Sequence, residues 1–367
     1  MKIGIIGTRG IPNEYGGFEQ LAEKLSVGLY EKGHSVVVYN SHRHSYQEKK
    51  FHGVDIVHCY DAEHVMGTAG QFIYDFNCIL DARKRHFDVL LFLGYTSSSV
   101  WGMLYPKNTV IISNMDGLEW KRRKYSKPVR LFLKYAERLA VKYSDYFIAD
   151  AIAMHSYLKN KFQVHSEYIA YGAEILTTQQ EEFLARYDLC KKDYYMLMAR
   201  MEPENNIEMI LEGFHQSASS RKFVVVGNTN NKFGKRMVKK FGSDKRIVFA
   251  GPIYDPELTH TLKYNCPLYF HGHTVGGTNP SLIEAMASQV MIAAHDNHFN
   301  RAVLDGNGYY FNSAKEVRQL IETKHPEVRE ETMTRNNFLK IKNSYNWPLI
   351  VEQYETFIRA CYADYHS

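Results

Sequence analysis

The sequence predicts an α/β protein made of two doubly wound parallel sheets. Three observations carry this: the length of the chain, the alternation of strand-sized apolar runs with helical patterns, and a break in that alternation near the middle. The chain has 367 residues, more than the roughly 250 to 300 at which a single hydrophobic core stops growing. Aliphatic runs recur at 2–6, 36–39, 55–58, 89–92, 110–113 and 146–149, with helical periodicity between them. A second series follows at 195–198, 223–226, 247–250, 268–270 and 291–294. Runs that are apolar on both faces belong to parallel strands covered by helices on either side. Each series therefore reads as a Rossmann-like domain.

Between the two series, residues 177–192 carry several carboxylates and no strand signal. This stretch reads as a polar helical segment and places a hinge near 173–192. The expected division is an N-terminal Rossmann-like domain over 1–175, completed by a C-terminal helix at about 345–367, and a C-terminal Rossmann-like domain over 176–344. Doubly wound sheets bind ligands beyond the carboxyl ends of their strands. The two domains are thus expected to face each other across a cleft, with their strand-end loops around one ligand.

Composition narrows the class. Hydrophobic content of 45% and charged content of 23% are ordinary for a globular protein, and no repeat or low-complexity tract interrupts the pattern. The longest apolar runs, such as 89–93 and 223–226, fall far short of the roughly 20 residues that span a bilayer. The first residues, Met1 to Gly7, read as a buried strand and not as a secretory signal, so the expected location is cytoplasmic. Five cysteines at 59, 78, 190, 266 and 361 show no C-x-x-C spacing; they read as core thiols, with no disulfide framework and no zinc site.

The strand ends hold the chemistry. After the first strand, Gly7-Thr8-Arg9-Gly10-Ile11-Pro12-Asn13-Glu14-Tyr15-Gly16-Gly17 leads into a helix. Its spacing is not the dinucleotide fingerprint, and it contains no Walker lysine. Gly16 and Gly17 let backbone amides approach a phosphate or sugar; the alternative is a plain turn. After 110–113, Ser113-Asn114-Met115-Asp116-Gly117-Leu118-Glu119-Trp120 puts Asp116 where a general base or an acceptor-orienting carboxylate would stand, or where an Asx turn would cap a helix.

The next segment is basic. Lys121, Arg122, Arg123, Lys124, Lys127, Arg130, Lys134, Arg138 and Lys142 crowd one stretch of a chain whose net charge is only +5. From Pro128 the periodicity predicts a helix with Val129, Phe132, Leu133, Ala136, Leu139, Ala140 and Tyr143 inward and the basic stripe outward. Such a face suits an anionic membrane surface. Nucleic acid fits less well, because aromatic residues do not interleave with the charges.

In the second half, Arg200 follows 195–198, and its forked donors suit a diphosphate; the alternative is a surface ion pair with Glu202 or Glu204. His271 and His273 follow 268–270. His273 reads as a sugar or phosphate donor, while His271, His295 and His298 read as core or rim residues. No metal is expected, since ligand spacing such as H-E-x-x-H is missing. Finally Gly276-Gly277-Thr278-Asn279-Pro280 opens a helix that carries Glu284, an arrangement that aims amides at an anion and a carboxylate at a sugar hydroxyl.

Taken in this order, the motifs resemble the retaining nucleotide-sugar glycosyltransferases of the GT-B architecture, glycosyltransferase family 4-like, in a bacterial rhamnosyltransferase-like branch. The resemblance rests on Gly7 to Pro12 with Tyr15 to Glu19, on Asp116 to Arg122, on Ala199-Arg200 with Glu202 to Asn206, and on His271-Gly272-His273 with Gly276 to Pro280. It implies that Gly16 and Gly17 meet the donor phosphates or the acceptor, Arg200 the diphosphate and Glu284 the ribose. The rest of the implied donor site is Asn205, His273, Gly276, Gly277, Thr278 and Asn279. Two departures matter. Gly276 stands where the wider superfamily carries a second glutamate, and Asn205 where it carries a lysine.

The resemblance implies transfer of L-rhamnose from dTDP-L-rhamnose to a lipid-linked saccharide in cell-surface polysaccharide synthesis. Asp116, Arg200 and Glu284 would be the catalytic residues, with no cofactor. Lys121, Arg122, Arg123, Arg130 and Lys134 would face the acceptor and the inner surface of the plasma membrane. The alternatives are a UDP- or GDP-hexose transferase, a non-transferase sugar-nucleotide enzyme such as an epimerase, and a non-catalytic binder of the donor.

Overall fold

The computed structural model describes residues 1–115, 117–121, 125–177, 180, 182–274 and 277–367. They form two compact units. The first comprises Met1–Lys121, Tyr125–Tyr171 and Trp347–Ser367, and the second Gly172–Asn346.

The first unit is built on β1 (Lys2–Ile6), β2 (Ser35–Ser41), β3 (Lys50–Phe51), β4 (Val54–Cys59), β5 (Val89–Leu93), β6 (Val110–Asn114), β7 (Tyr146–Ala149) and β8 (Glu167–Tyr168). Their order is β3-β4-β2-β1-β5-β6-β7-β8, parallel throughout except for the β3–β4 hairpin. Every residue of β5 is buried, as a central strand covered on both faces requires. The C-terminal helix Trp347–Tyr365 packs on the Gly17–Glu31 helix, where Gly28 leaves a notch: a Cβ there would stand 2.7 Å from Val351. It is tied in by polar contacts as well. Asn114 Nδ2 donates to Tyr354 Oη at 2.8 Å, and His34 Nε2 and Arg359 Nε donate to Glu355 Oε1 at 3.1 and 2.8 Å. Burial raises the Glu355 carboxyl, but the hydrogen bonds from His34, Arg359 and Lys32 outweigh it and hold it down to about 2.

The second unit carries β9 (Tyr194–Met198), β10 (Lys222–Val226), β11 (Ile247–Gly251), β12 (Leu268–His271), β13 (Ile292–His295) and β14 (Tyr309–Phe311). The order is β11-β10-β9-β12-β13-β14, all parallel. Aromatic packing fills its centre: the rings of Phe214 and Phe223 lie 5.0 Å apart and those of Phe223 and Phe270 5.6 Å. Such pairs add about 0.5–1.5 kcal/mol each beyond the area they bury.

Each of the eleven strand runs expected from the sequence forms a strand. The three strands not foreseen, β3, β8 and β14, have two or three residues, too few for a period to register. Residues 177–192 differ from expectation. Among the described residues only Glu182–Ala185 is helical: the Leu184 carbonyl accepts from both Tyr187 and Leu189, and Asp188, with φ of 51°, ends the turn.

In both sheets the chain reverses its direction of growth once, between β1 and β5 in the first and between β9 and β12 in the second. A crevice for ligands opens at such a switch point, outside the carboxyl ends of the strands.

Candidate functional site

In the second unit the two strands at the switch point end in the two loops singled out by sequence. Beyond β9 the chain turns through Arg200 and a 3₁₀ turn, Pro203–Asn205. Beyond β12 it passes His271 to His273 and enters the glycine-rich turn. The loops are stitched together: Asn206 Nδ2 donates to the Gly272 carbonyl at 2.8 Å, and Thr274 Oγ1 donates to the Glu204 carbonyl at 2.8 Å. Gly272 is required by this closeness, since a Cβ would fall 2.1 Å from the Asn205 carbonyl oxygen. Asn205 itself is buried and donates to the Arg200 carbonyl at 2.7 Å. Its amide thus shapes the turn that presents Arg200. The Arg200 side chain is exposed, and it forms no ion pair among the described residues, so pairing with Glu202 or Glu204 does not occupy it.

The glycine-rich turn leads into the helix Pro280–Ala287. Asn279 is its N-cap, accepting from Ser281 N at 3.1 Å, and Pro280 occupies the first turn, where no amide donor is lost. Thr278 is buried beside it. Gly276 lies outside the described residues. His273 is half-buried, and its carbonyl accepts from Asn297 and Asn300 at 3.0 and 3.1 Å. Its ring stacks on His271 with centroids 4.4 Å apart. His271 is fully buried, and burial, with smaller contributions from His295 and Lys263, pushes its imidazole down to about 3. It is therefore neutral at physiological pH.

Glu284 is where the structure adds most. Its carboxylate Oε2 accepts from Lys263 Nζ at 2.7 Å, the lysine being 1% exposed and the glutamate side chain 26%. Lys263 lies on the helix Pro256–Tyr264 and was missed by sequence reasoning. No local signal marks it: the residues three and four positions before it, His260 and Thr259, are polar.

In the first unit the Gly7–Gly17 loop is held from several sides. Gly7 and Gly10 have φ of 107° and 133°, conformations that favour glycine. Asn40 brackets Ile11, accepting from its amide at 3.0 Å and donating to its carbonyl at 2.8 Å. Arg9 forms a two-pronged pair with Glu63 at 2.9 and 2.6 Å and lies 3.7 Å over the Tyr15 ring. Gly17 is the first helical residue, with Gly16 as its N-cap. The Gly16 amide donates to Asn13 Oδ1 at 3.2 Å, so the loop's own asparagine engages the amide expected to meet a phosphate.

Asp116 lies outside the described residues, as do Arg122, Arg123 and Lys124. A described carboxylate contacts the loop after the neighbouring strand, β5. Asp75, on the helix Gly70–Arg85, is buried and accepts from Ser97 Oγ at 2.6 Å. Burial raises its carboxyl to about 7 against the lowering effect of that hydrogen bond, with Asp61 adding to the rise.

The basic segment forms a helix, Lys127–Tyr143, but not with the expected faces. Leu133, Ala136 and Ala140 are buried, whereas Val129 and Phe132, expected inward, are 40% and 37% exposed, and Leu131 and Tyr135 reach 68% and 55%. The reason is a polar anchor. Glu137 is fully buried and accepts from Trp120 Nε1 at 3.3 Å, Tyr157 Oη at 3.0 Å and Lys161 Nζ at 2.6 Å. That rotates the helix so that its first two turns project. Arg130 is half-buried, and Lys134 lies over the Trp120 ring at 4.4 Å with Lys121 at 5.5 Å.

Of the cysteines, Cys190 is exposed, contrary to the expected core placement, because it follows the turn closed by Asp188; the other four are buried. Among the described residues no group of histidine, cysteine, aspartate and glutamate is placed to hold a metal ion, and no helix is long and apolar enough to cross a membrane.

Comparison with known proteins follows the division into units. Residues 1–174 match a domain of unknown function (DUF1972), and residues 179–324 match glycosyl transferases group 1. No curated protein matches the sequence. Sucrose-phosphate synthase from Thermosynechococcus elongatus is similar in structure, with a TM-score of 0.82 at 14% identity over 99% of both chains. So is Anabaena HepE in complex with UDP-glucose, with a TM-score of 0.76 at 13% identity over 98% of this chain and 99% of that one. TarM from S. aureus, a mutant in complex with Fondaparinux, alpha-GlcNAc-glycerol and UDP, gives 0.70 at 12% identity over 97% and 99%. These likenesses establish the fold as GT-B, two Rossmann-like domains with parallel sheets.

Proposed function

We propose that this chain is a glycosyltransferase of the group 1 type, as the match of residues 179–324 supports, and that it is a retaining enzyme taking L-rhamnose from dTDP-L-rhamnose to a lipid-linked saccharide. The observation that carries the reading is the switch-point arrangement in the second unit. Arg200, exposed and outside any ion pair among the described residues, shares that switch point with the capped Pro280–Ala287 helix and its carboxylate Glu284. An unspent guanidinium and a helix N-terminus both favour the diphosphate of a sugar nucleotide.

In this proposal the bond between the anomeric carbon and the diphosphate oxygen breaks as the acceptor oxygen attacks the same face. The departing diphosphate takes up the acceptor proton, while Arg200 and the helix N-terminus stabilise its negative charge. Asp116 orients the acceptor hydroxyl. Glu284 meets the ribose, His273, Gly277 and Thr278 line the donor, and Gly16 and Gly17 meet phosphate or acceptor once the Asn13 contact is exchanged. Glycine at 276 leaves no carboxylate to grip a hydroxymethyl-bearing hexose, which favours a 6-deoxy sugar.

The acceptor side of the proposal rests on the projecting end of the Lys127–Tyr143 helix. Val129, Leu131, Phe132 and Tyr135 beside Arg130, Lys121 and Lys134 combine apolar and cationic groups on one segment, as an anionic lipid interface requires. The protein then works on the inner face of the plasma membrane.

Ligand binding to the native state alone raises the melting temperature. A thermal-shift panel of nucleotide sugars is expected to give the largest rise with dTDP-L-rhamnose. The largest rise with a UDP-hexose, the class of compound seen in complex with HepE, would replace the donor assignment. Sugar-nucleotide product formed without any acceptor would instead indicate an epimerase.

A further inference from the structure

We propose that Lys263 is a positioning residue for the donor: its buried ammonium fixes the Glu284 carboxylate in the orientation that meets the nucleotide sugar. The proposal rests on the reading that Glu284 contacts the donor.

Lys263 is 1% exposed, and its Nζ lies 2.7 Å from Glu284 Oε2. Taking an ammonium out of water is costly, and an ion pair in its place seldom stabilises a fold better than apolar side chains of similar volume. Holding the Pro256–Tyr264 helix against the Pro280–Ala287 helix is therefore a poor reason to keep a lysine here. The asymmetry of the pair supplies a better one. The cation is sealed in, whereas the carboxylate side chain keeps 26% exposure, so one partner anchors and the other remains accessible.

The surroundings sharpen the point. His260 Nδ1 lies 3.1 Å from Ser288 Oγ, and burial together with Lys263 holds its imidazole below the ordinary range. His271, 3.4 Å from Ser281 Oγ, is kept neutral by burial, with Lys263 contributing. Among the described residues Lys263 forms one ion pair, with Glu284, and burial disfavours the charged forms of His260 and His271, the imidazoles it acts on. A binding carboxylate works when a supporting group locks it in place. Lys263, on a neighbouring helix, is placed to do this.

The test uses the full chain and measures binding of dTDP and of UDP by calorimetry, together with the kinetics of the donor preferred in the thermal-shift panel. Lys263→Met is expected to weaken binding of the preferred nucleotide by roughly 10- to 50-fold, the worth of a charge-assisted hydrogen bond. It should raise KM for the donor while changing kcat far less. In the Lys263→Met/Glu284→Gln double variant the loss should equal that of Glu284→Gln alone, because both changes remove one unit. Lys263→Gln, which keeps an N–H donor in the slot, covers the case in which the methionine variant does not fold, and a smaller loss is expected from it. Native-strength binding by a folded Lys263 variant, with Glu284→Gln impaired, would overturn the positioning role and leave the donor reading standing. Additive losses in the double variant would also overturn it. Native-strength binding by Glu284→Gln would instead remove the donor reading itself.

Discussion

At Arg200 a single side chain separates a structural from a functional role. A guanidinium that served the fold would be engaged, as Arg9 is by Glu63 and Arg246 is by Asp244. Arg200 is exposed, and the turn that presents it is built by its own carbonyl and Asn205. Truncation therefore removes little from the folded state. Arg200→Ala is expected to keep the native melting temperature within a degree or two while lowering kcat/KM by roughly 10²- to 10³-fold, the usual cost of losing one preorganised donor to developing charge. Unchanged kinetics would remove Arg200 from the leaving-group role. This residue was legible in the sequence as a strand-end arginine, with a surface ion pair to Glu202 or Glu204 as its alternative. Lys263 was not, because burial of a charge is a property of the partner helix and leaves no mark in the local pattern.

At the scale of an element, the Lys127–Tyr143 helix illustrates how packing overrides periodicity. The i, i+3, i+4 pattern selects Val129 and Phe132 for the core, yet a buried glutamate with three donors decides which way the helix rolls. An unpaired buried carboxylate costs more than a few half-exposed apolar side chains gain, so Glu137 sets the rotation and the first two turns protrude. The projecting surface predicts two separable contributions to vesicle binding. The Arg130→Glu/Lys134→Glu variant is expected to lose sedimentation with anionic vesicles in a salt-dependent way, each charge near the surface being worth about 1 kcal/mol. Leu131→Ser/Phe132→Ser should lose binding at any salt concentration. Activity on a soluble acceptor analogue should survive in both. Sedimentation equal to the native protein in both variants would end the membrane proposal.

For the molecule as a whole, buried titratable groups set how stability varies with pH. Burial raises the folded-state pKa of Asp75 to about 7, against about 3.9 in an unfolded chain. Between these values the folded state binds the extra proton, so the stability associated with Asp75 is complete below about pH 4 and falls as pH rises toward 7. Across pH 5 to 7 the loss is about 2 to 3 kcal/mol. Asp75→Asn keeps an acceptor for Ser97 and cannot ionise. Urea midpoints should accordingly show it gaining on the native protein steadily from pH 5 to 7, and a parallel pH dependence of the two proteins would refute the assignment.

The sequence by itself determined the two parallel α/β units, eleven of their strands and the loops that stand at the switch points, because strand-sized apolar runs and glycine-rich turns encode their own geometry locally. It also marked Arg200 and Glu284, since the ends of β9 and β12 are where such sheets hold ligands. Only the tertiary structure decided which charges are spent and which remain. Pairing of Lys263 with Glu284 and the roll of the Lys127–Tyr143 helix about Glu137 both depend on groups brought together from distant turns and neighbouring helices. The energy of a charge is set by what surrounds it in space, and that is not written in the residues beside it in the chain.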